Sequence, residues 1–261
     1  MSHSTFPRKM PDDLLNMAAE YGDVRAVTKL IALFCTDSTH GLNMALKIAA
    51  KNNHLDIVNI LIEAGANDYD EALEFATCKC NMGMVDKLIE VGAKDYDRAL
   101  IGAVIVGHLD LVNRLIEVGA KYYDIALPMA AMYGYLNIVN RLIEVGADNY
   151  NEALMGAVEN RYIEIVNRLI KAGADNYNEA LINAVENRYI EIVIRLIEVG
   201  ADNYNEALMG AVGNRYIEIV NMLINVGANN YDEALELAVK CEYPDIVNML
   251  IESSKITILI C

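Results

Sequence analysis

Two histidines, a Cys-x-Cys pair, two tyrosine ladders and an arginine stripe are the side chains through which this sequence could do chemistry. His54 and His108 have the makings of a metal ligand or a general base. No Cys, Asp or Glu recurs with them at ligand spacing, however. Their slot recurs instead as Tyr135, Tyr162, Tyr189, Tyr216 and Tyr243, with Asn81 as the exception. That interchange points to a hydrogen-bonding spacer at a turn. Cys78-Lys79-Cys80 is neither a Cys-x-x-Cys redox motif nor half of a paired zinc framework. Cys241 occupies a comparable place far along the chain, so these read as free structural thiols. The five cysteines (Cys35, Cys78, Cys80, Cys241 and Cys261) are odd in number and irregularly spaced, which fits a reducing compartment and a cytoplasmic, intracellular protein.

The second ladder is Tyr69, Tyr96, Tyr123, Tyr150, Tyr177, Tyr204 and Tyr231. An aromatic strip for a ligand is one use for it. Strict recurrence favours a structural one, with each ring packed between successive loops and its hydroxyl hydrogen-bonded. Arg114, Arg141, Arg168 and Arg195 are followed three residues on by Glu117, Glu144, Lys171 and Glu198, which allows i, i+3 ion pairs in three of the four cases. Such a stripe is a solvated face laced with weak pairs. No phosphate loop, dinucleotide fingerprint, nucleophile elbow or His-Glu-x-x-His is present, so no enzyme and no cofactor or metal site is expected.

These residues sit on a repeat. Gly65, Gly92, Gly119, Gly146, Gly173, Gly200 and Gly227 are each 27 residues apart, and Ala72 to Ala234 keep the same step. Within Tyr150–Asn176, Ala153, Leu154, Ala157 and Val158 mark one face of a helix over 152–159. Ile165, Val166, Leu169 and Ile170 mark a second helix over 162–171, with Glu164, Asn167 and Arg168 opposite. Gly173 suits a left-handed C-cap, and Asp175 with Asn176 offers N-cap chemistry for the next unit. Helices of ~10 residues are marginal alone, so stacking must stabilise them. Residues 14–31 match 45–62 with an offset of 31, which makes the first linker four residues longer, and Ser254 replaces the last glycine.

Nine helix pairs in one elongated domain result. The boundaries are an N-terminal lead at 1–10 and an N-capping unit at 11–41. Repeats follow at 42–68, 69–95, 96–122, 123–149, 150–176, 177–203 and 204–230. A C-capping unit at 231–257 and a tail at 258–261 end the chain. The apolar run Lys255–Cys261 either caps the last pair or forms a strand-like edge, and capping is favoured because the final unit otherwise exposes a core face.

Several segments carry a resemblance. Residues 44–58 read MALKIAAKNNHLDIV against TPLHLAAxxGHLxIV; residues 107–112 read GHLDLV; residues 61–66 read LIEAGA. Over about 11–253 the chain resembles the ankyrin-repeat family. The resemblance implies an all-α, ankyrin-like solenoid of stacked helix-turn-helix repeats. The unit is six residues shorter than the 33 of ankyrin, so the β-hairpin fingers are expected to be reduced to tight loops. The clipped unit, with Asn-Tyr-Asn-Glu-Ala-Leu repeated, looks like the repeat families encoded by giant DNA viruses of amoebae.

Members of this family bind proteins on the inner surface made by first helices and loops. Carried over by register, the inner slots of the 150–176 unit are Asn151, Met155, Glu159 and Asn160, and later units are mostly Asn, Glu and Gly there. Two central units differ. Ile101, Ile105, Val106, Pro128, Met132 and Tyr133 form an expected contiguous partner-binding patch. The function implied is a non-enzymatic, monomeric scaffold or adaptor for a protein partner. A host-pathway adaptor or decoy, acting on ubiquitin or signalling, is the alternative, and an enzyme with a groove site comes third. Net charge −16, from 37 Asp and Glu against 21 Lys and Arg, argues against nucleic acid and against an anionic membrane surface. The N-terminus lacks the apolar core of a signal peptide, and the longest apolar runs, such as 101–106, are far short of a membrane span.

Overall fold

The structure is a computed structural model. It describes residues 12–33 and 39–260, with the side chains of 255–260 excepted. Cys35, Cys261 and the lead at 1–10 lie outside the described residues. Among the described residues all regular structure is helical.

The chain divides into two compact units between Ala126 and Leu127. The first holds α1 (Asp12–Tyr21), α2 (Val24–Leu33), α3 (Thr39–Lys51), α4 (Leu55–Glu63), α5 (Tyr69–Thr77), α6 (Met82–Val91), α7 (Tyr96–Ile105) and α8 (Leu109–Val118). Helix α9 (Tyr123–Met132) carries the boundary. The second unit continues with α10 (Leu136–Glu144), α11 (Tyr150–Glu159), α12 (Ile163–Ala172), α13 (Tyr177–Glu186) and α14 (Ile190–Glu198). It ends with α15 (Tyr204–Gly213), α16 (Ile217–Val226), α17 (Tyr231–Lys240) and α18 (Pro244–Ile260).

Within each unit, first helices pack on their own second helices and on one another. The first helices α1, α3, α5 and α7 stack in the first unit, and α11, α13, α15 and α17 in the second. The sequence makes this close stacking possible. In α11, Ala153, Leu154, Ala157 and Val158 are fully buried, and the two alanines let neighbouring helices approach. Ile165, Val166 and Leu169 of α12 complete the layer, while Ile170 is only half-buried. Ala174 of the Gly-Ala pair is buried too. Gly173 caps α12 with φ +122°, the left-handed conformation its place requires.

Asn176 departs from its expected role. It stands at the N-cap of α13, yet its side chain accepts no cap hydrogen bond. The loop is held from the preceding repeat instead. Asn151 Oδ1 accepts from the backbone N–H of Asp175 at 2.9 Å and of Asn176 at 3.4 Å. The same clamp recurs along the chain. Asn178 Oδ1 accepts from Asp202 (2.8 Å) and Asn203 (3.1 Å), and Asn205 from Asn229 (2.8 Å) and Asn230 (3.4 Å). Asn43 takes Asn67 (2.8 Å) and Asp68 (3.2 Å); Asp70 takes Lys94 (2.5 Å) and Asp95 (2.9 Å); Asp97 takes Lys121 (2.5 Å) and Tyr122 (3.0 Å). One short side chain thus ties each of these six loops to the repeat before it.

At four of these loops clamp and loop residues are matched in chemistry. Where the loop offers Asp175 or Asp202, the clamp is asparagine, and its Nδ2 donates to that carboxylate at 2.9 Å. Where the loop offers Lys94 or Lys121, the clamp is aspartate. Asn178→Asp removes the Nδ2 donor and sets a carboxylate against Asp202. A loss of about 1 kcal/mol in urea-unfolding free energy is expected. Adding Asp202→Lys recreates the Asp97–Lys121 pairing and restores most of it. If the double variant is no better than the single one, charge matching does not govern the clamp.

Two further differences concern the ends. α3 begins at Thr39, three residues ahead of the place that matches Tyr69, so the longer first linker is partly spent on an extra helical turn. At the other end α18 runs on to Ile260. Residues 255–260 therefore extend the last helix, and a strand-like edge does not form there.

Candidate functional site

Both histidines and two of the tyrosines in their slot have structural partners. His54 Nε2 lies 3.1 Å from the carbonyl oxygen of Glu20, and His108 Nδ1 accepts from the N–H of Leu111 at 3.3 Å. Asn81, the exception in that ladder, caps α6 in the same way by accepting from Met84 N–H at 3.3 Å. The hydroxyls of Tyr189 and Tyr216 donate to the carbonyls of Glu159 and Glu186, each at 3.3 Å. This ladder is a hydrogen-bonding spacer between successive turns.

The other tyrosine ladder differs from expectation. Tyr69, Tyr96, Tyr123, Tyr150, Tyr177, Tyr204 and Tyr231 each open a first helix and are half-buried. Among the described residues, none of their hydroxyls makes a hydrogen bond within the chain. Packing keeps them in place. The Tyr150 ring lies 3.8 Å from where a Cβ on Gly173 would stand, and Tyr204 lies likewise beside Gly227.

Cys78, Cys80 and Cys241 are free thiols. Desolvation, reinforced by the Glu74 carboxylate, pushes the Cys78 thiol above its usual range, which disfavours the nucleophilic thiolate. Among the described residues, no three His, Cys, Asp or Glu side chains converge as a metal cage would require. The arginine stripe lies on second helices. Arg114, Arg141 and Arg195 pair with Glu117, Glu144 and Glu198 at 3.7, 3.6 and 3.2 Å. It also reaches backward: Arg114 Nε donates to Asp86 (2.7 Å), Arg168 Nε to Asn140 (2.6 Å) and Arg195 Nε to Asn167 (2.7 Å). These guanidinium groups tie neighbouring second helices together.

With the second helices so engaged, the open faces of the first helices remain as the surface for a ligand. In α7, Ala99, Leu100, Gly102, Ala103 and Val104 are buried, which leaves Ile101 and Val106 half-buried and Ile105 42% exposed. In the second unit Pro128 is half-buried, and Met132 and Tyr133 are 38% and 40% exposed. Tyr133 leans on Tyr135 with ring centroids 6.1 Å apart. A Cβ on Gly156 would lie 3.4 Å from both the Pro128 carbonyl and Met132 Cβ, so the bare glycine admits this end of α9 against α11. The six residues form two groups, one in each unit.

The polar slots of the later repeats are less available than the register implied. Asn151, Asn178 and Asn205 are the loop clamps described above. The Nδ2 groups of Asn160, Asn187 and Asn214 donate to the carbonyls of Gly156 (2.9 Å), Asn183 (2.9 Å) and Gly210 (3.0 Å), each closing its own helix. A second apolar group escapes the sequence reading. Met44 and Ile48 of α3 line a cleft with Phe75 of α5, and Lys47 and Lys51 stand beside them. A 27-residue register places Ile48 and Phe75 in a slot that holds Gly102 and Gly156 but also Met129, so the signal in the sequence was weak. Lys47 is held by Glu71 and by Asp68 at 3.4 Å. That hydrogen-bonded pairing raises the Lys47 pKa and lowers that of Glu71.

Comparison with known proteins agrees with this architecture. The family model for ankyrin repeats (3 copies) matches residues 15–122, 100–180 and 181–259. Among solved structures, the human ASB11 ankyrin repeat domain is similar at 24% identity, covering 62% of this chain and 84% of that one, with a TM-score of 0.52. That likeness bears on the fold alone. No curated protein matches. Helix pairs in register, the left-handed turn after the second helices from α4 to α16 and a family match over most of the described residues lead to one assignment: the chain belongs to the ankyrin-repeat family, whose repeats are protein-interaction modules of a typically non-enzymatic fold.

Proposed function

We propose that the protein is a non-enzymatic scaffold or adaptor that binds a protein partner on the inner surface of its first helices. Ile101, Ile105 and Val106 in the first unit, and Pro128, Met132 and Tyr133 in the second, are its proposed contacts. The observation behind this reading is the exposure of Ile105 and Met132 at the helix position that Glu159, Glu186 and Gly213 occupy elsewhere. Clustered apolar and aromatic anchors supply most of the binding energy at protein interfaces. The Ile105→Glu and Met132→Glu variants are expected to lose partners captured from a cell lysate by ten-fold or more, with an unchanged circular dichroism spectrum. Unchanged capture by both variants sinks the assignment of these residues.

The same proposal has a monomer acting in the cytoplasm without nucleic acid, membrane or cofactor. The chain's −16 charge supports the first two exclusions. No described helix is long and apolar enough to cross a membrane. A narrower version makes the chain an adaptor or decoy on a host ubiquitin or signalling pathway. It rests on the likeness of the clipped repeat to families of giant DNA viruses, and the identities of the captured proteins test it.

A further inference from the structure

We infer that the cleft between α3 and α5 docks an acidic segment of a protein partner, which inserts one bulky apolar side chain beside a carboxylate. This rests on the reading that first-helix faces bind protein, and it names a separate place and a partner chemistry.

The cleft is open, about 130 Å3 in volume, and lined by Met44, Lys47, Ile48, Lys51 and Phe75. Met44 and Phe75 are each 37% exposed. Most other copies of the repeat are not apolar in these slots. The slot of Ile48 and Phe75 holds Gly102, Gly156, Asn183 and Gly210, with Met129 and Leu237 as apolar exceptions, and the slot of Met44 holds Glu152, Glu179 and Glu206, with Ile125 as the exception. No folding role requires an exposed phenylalanine here, since Ala72, Leu73 and Ala76 already bury the packed face of α5.

Charge selects the partner. The cations and anions around the cleft are mostly matched: Lys47 is held by Glu71 and Asp68, and Arg98 pairs with Glu74 at 2.5 Å. Lys51 is different. Its ammonium stands 5.9 Å from the centre of the Phe75 ring, and among the described residues it pairs with no carboxylate. One uncompensated positive charge therefore overlooks an apolar cleft in a chain of net charge −16. The overall charge would favour a basic partner at long range. At physiological salt, fields are screened over about 8 Å, so the group lining the cleft decides what sits there. A carboxylate beside the anchor meets Lys51 directly, whereas a lysine or arginine there is repelled.

The test uses the full chain and a phage-displayed library of random twelve-residue peptides. Enriched peptides are expected to carry Asp or Glu next to one bulky apolar residue. Fluorescence anisotropy with the best of them should show at least ten-fold weaker binding to Lys51→Glu and to Phe75→Ala. A peptide with lysine in place of that acid should recover binding to Lys51→Glu alone. Lys51→Glu changes an exposed side chain, so it separates binding from folding, and a thermal melt verifies both variants. Basic or uncharged peptides, or acidic peptides that bind both variants as tightly as the parent, overturn the inference. So does a second copy of the chain filling the cleft, seen as self-association lost in Phe75→Ala. Peptides lost on Ile105→Glu or Met132→Glu but kept on Phe75→Ala overturn it while leaving the broader reading standing. No enrichment at all, together with unaffected lysate capture, overturns both.

Discussion

Truncation of Leu181 to alanine is expected to lower the unfolding free energy by about 3 kcal/mol. Leu181 is fully buried in α13, beside Ala180, Ala184 and Val185, which are buried as well. Leucine-to-alanine changes in packed cores lose transfer energy and leave a cavity, about 2–5 kcal/mol together. Here the surroundings cannot easily close the gap. α13 is packed on α11 and α15, and the small alanines have already brought these backbones close. In a stack of repeats, stability is a sum of unit and interface contributions. A cavity in α13 therefore weakens both of its interfaces. Urea unfolding followed by circular dichroism should show the loss, and hydrogen exchange should place it in α11, α13 and α15. A loss under about 1 kcal/mol would mean the site collapses around the missing atoms, contrary to the close packing described.

Replacement of Gly134 by alanine is expected to cost about 2–3 kcal/mol, from backbone strain and steric conflict together. Gly134 has φ +81°, in the left-handed region, and an added Cβ would stand 2.6 Å from Cζ of Tyr162. Gly22 makes the same demand of His54, at 2.7 Å from Cε1. The equivalent turns later in the chain solve the problem differently. Arg161, Arg188 and Arg215 adopt φ of +61°, +58° and +56°, and their guanidinium groups lie 5.8, 5.6 and 5.2 Å from the ring centres of Tyr189, Tyr216 and Tyr243. Arg215 also pairs with Asp245 at 3.0 Å, which holds that carboxyl below its usual range. Arg188→Ala should thus lose only the cation–π contact, about 0.5–1 kcal/mol. Thermal melts of the two variants compare the slots directly. Equal losses would show that the ring on Gly134 does not set its cost.

Much of the fold was legible because a helix is a local object. Its hydrogen bonds span four residues, so Ala153, Leu154, Ala157 and Val158 mark a buried face without reference to anything distant. The left-handed cap at Gly173 and the Arg114–Glu117, Arg141–Glu144 and Arg195–Glu198 pairs are read from neighbours in the same way. The ladder of His54 and Tyr189 was legible in kind, since residues that interchange at a turn share a hydrogen-bonding role. Among candidate contacts, Ile105, Met132 and Tyr133 are exposed, as the register of the first helices implies.

Less legible was everything that spans a repeat. Asn178 looked like an open inner slot, but its oxygen is spent on two backbone N–H groups 24 and 25 residues away. Asn176 looked like a helix cap, and the loop it belongs to is held from Asn151 instead. The Tyr150 ladder was expected to pack its rings and to hydrogen-bond its hydroxyls, and among the described residues only the ring packing is seen. An asparagine can serve a neighbour in sequence or a group in the next repeat with similar strength, and the distance between stacked repeats selects which.

By itself, then, the sequence determined the period, the helix pairs, the buried alanine and leucine slots and the family. Those follow from propensity and apolar spacing, which every copy of the unit repeats. The tertiary structure decided which polar groups clamp the clipped loops, why glycine stands at 134 where arginine serves at 188, and that Met44, Ile48 and Phe75 line one cleft beneath Lys51. These depend on contacts between residues more than twenty positions apart, and such contacts are fixed by how closely one repeat packs on the next.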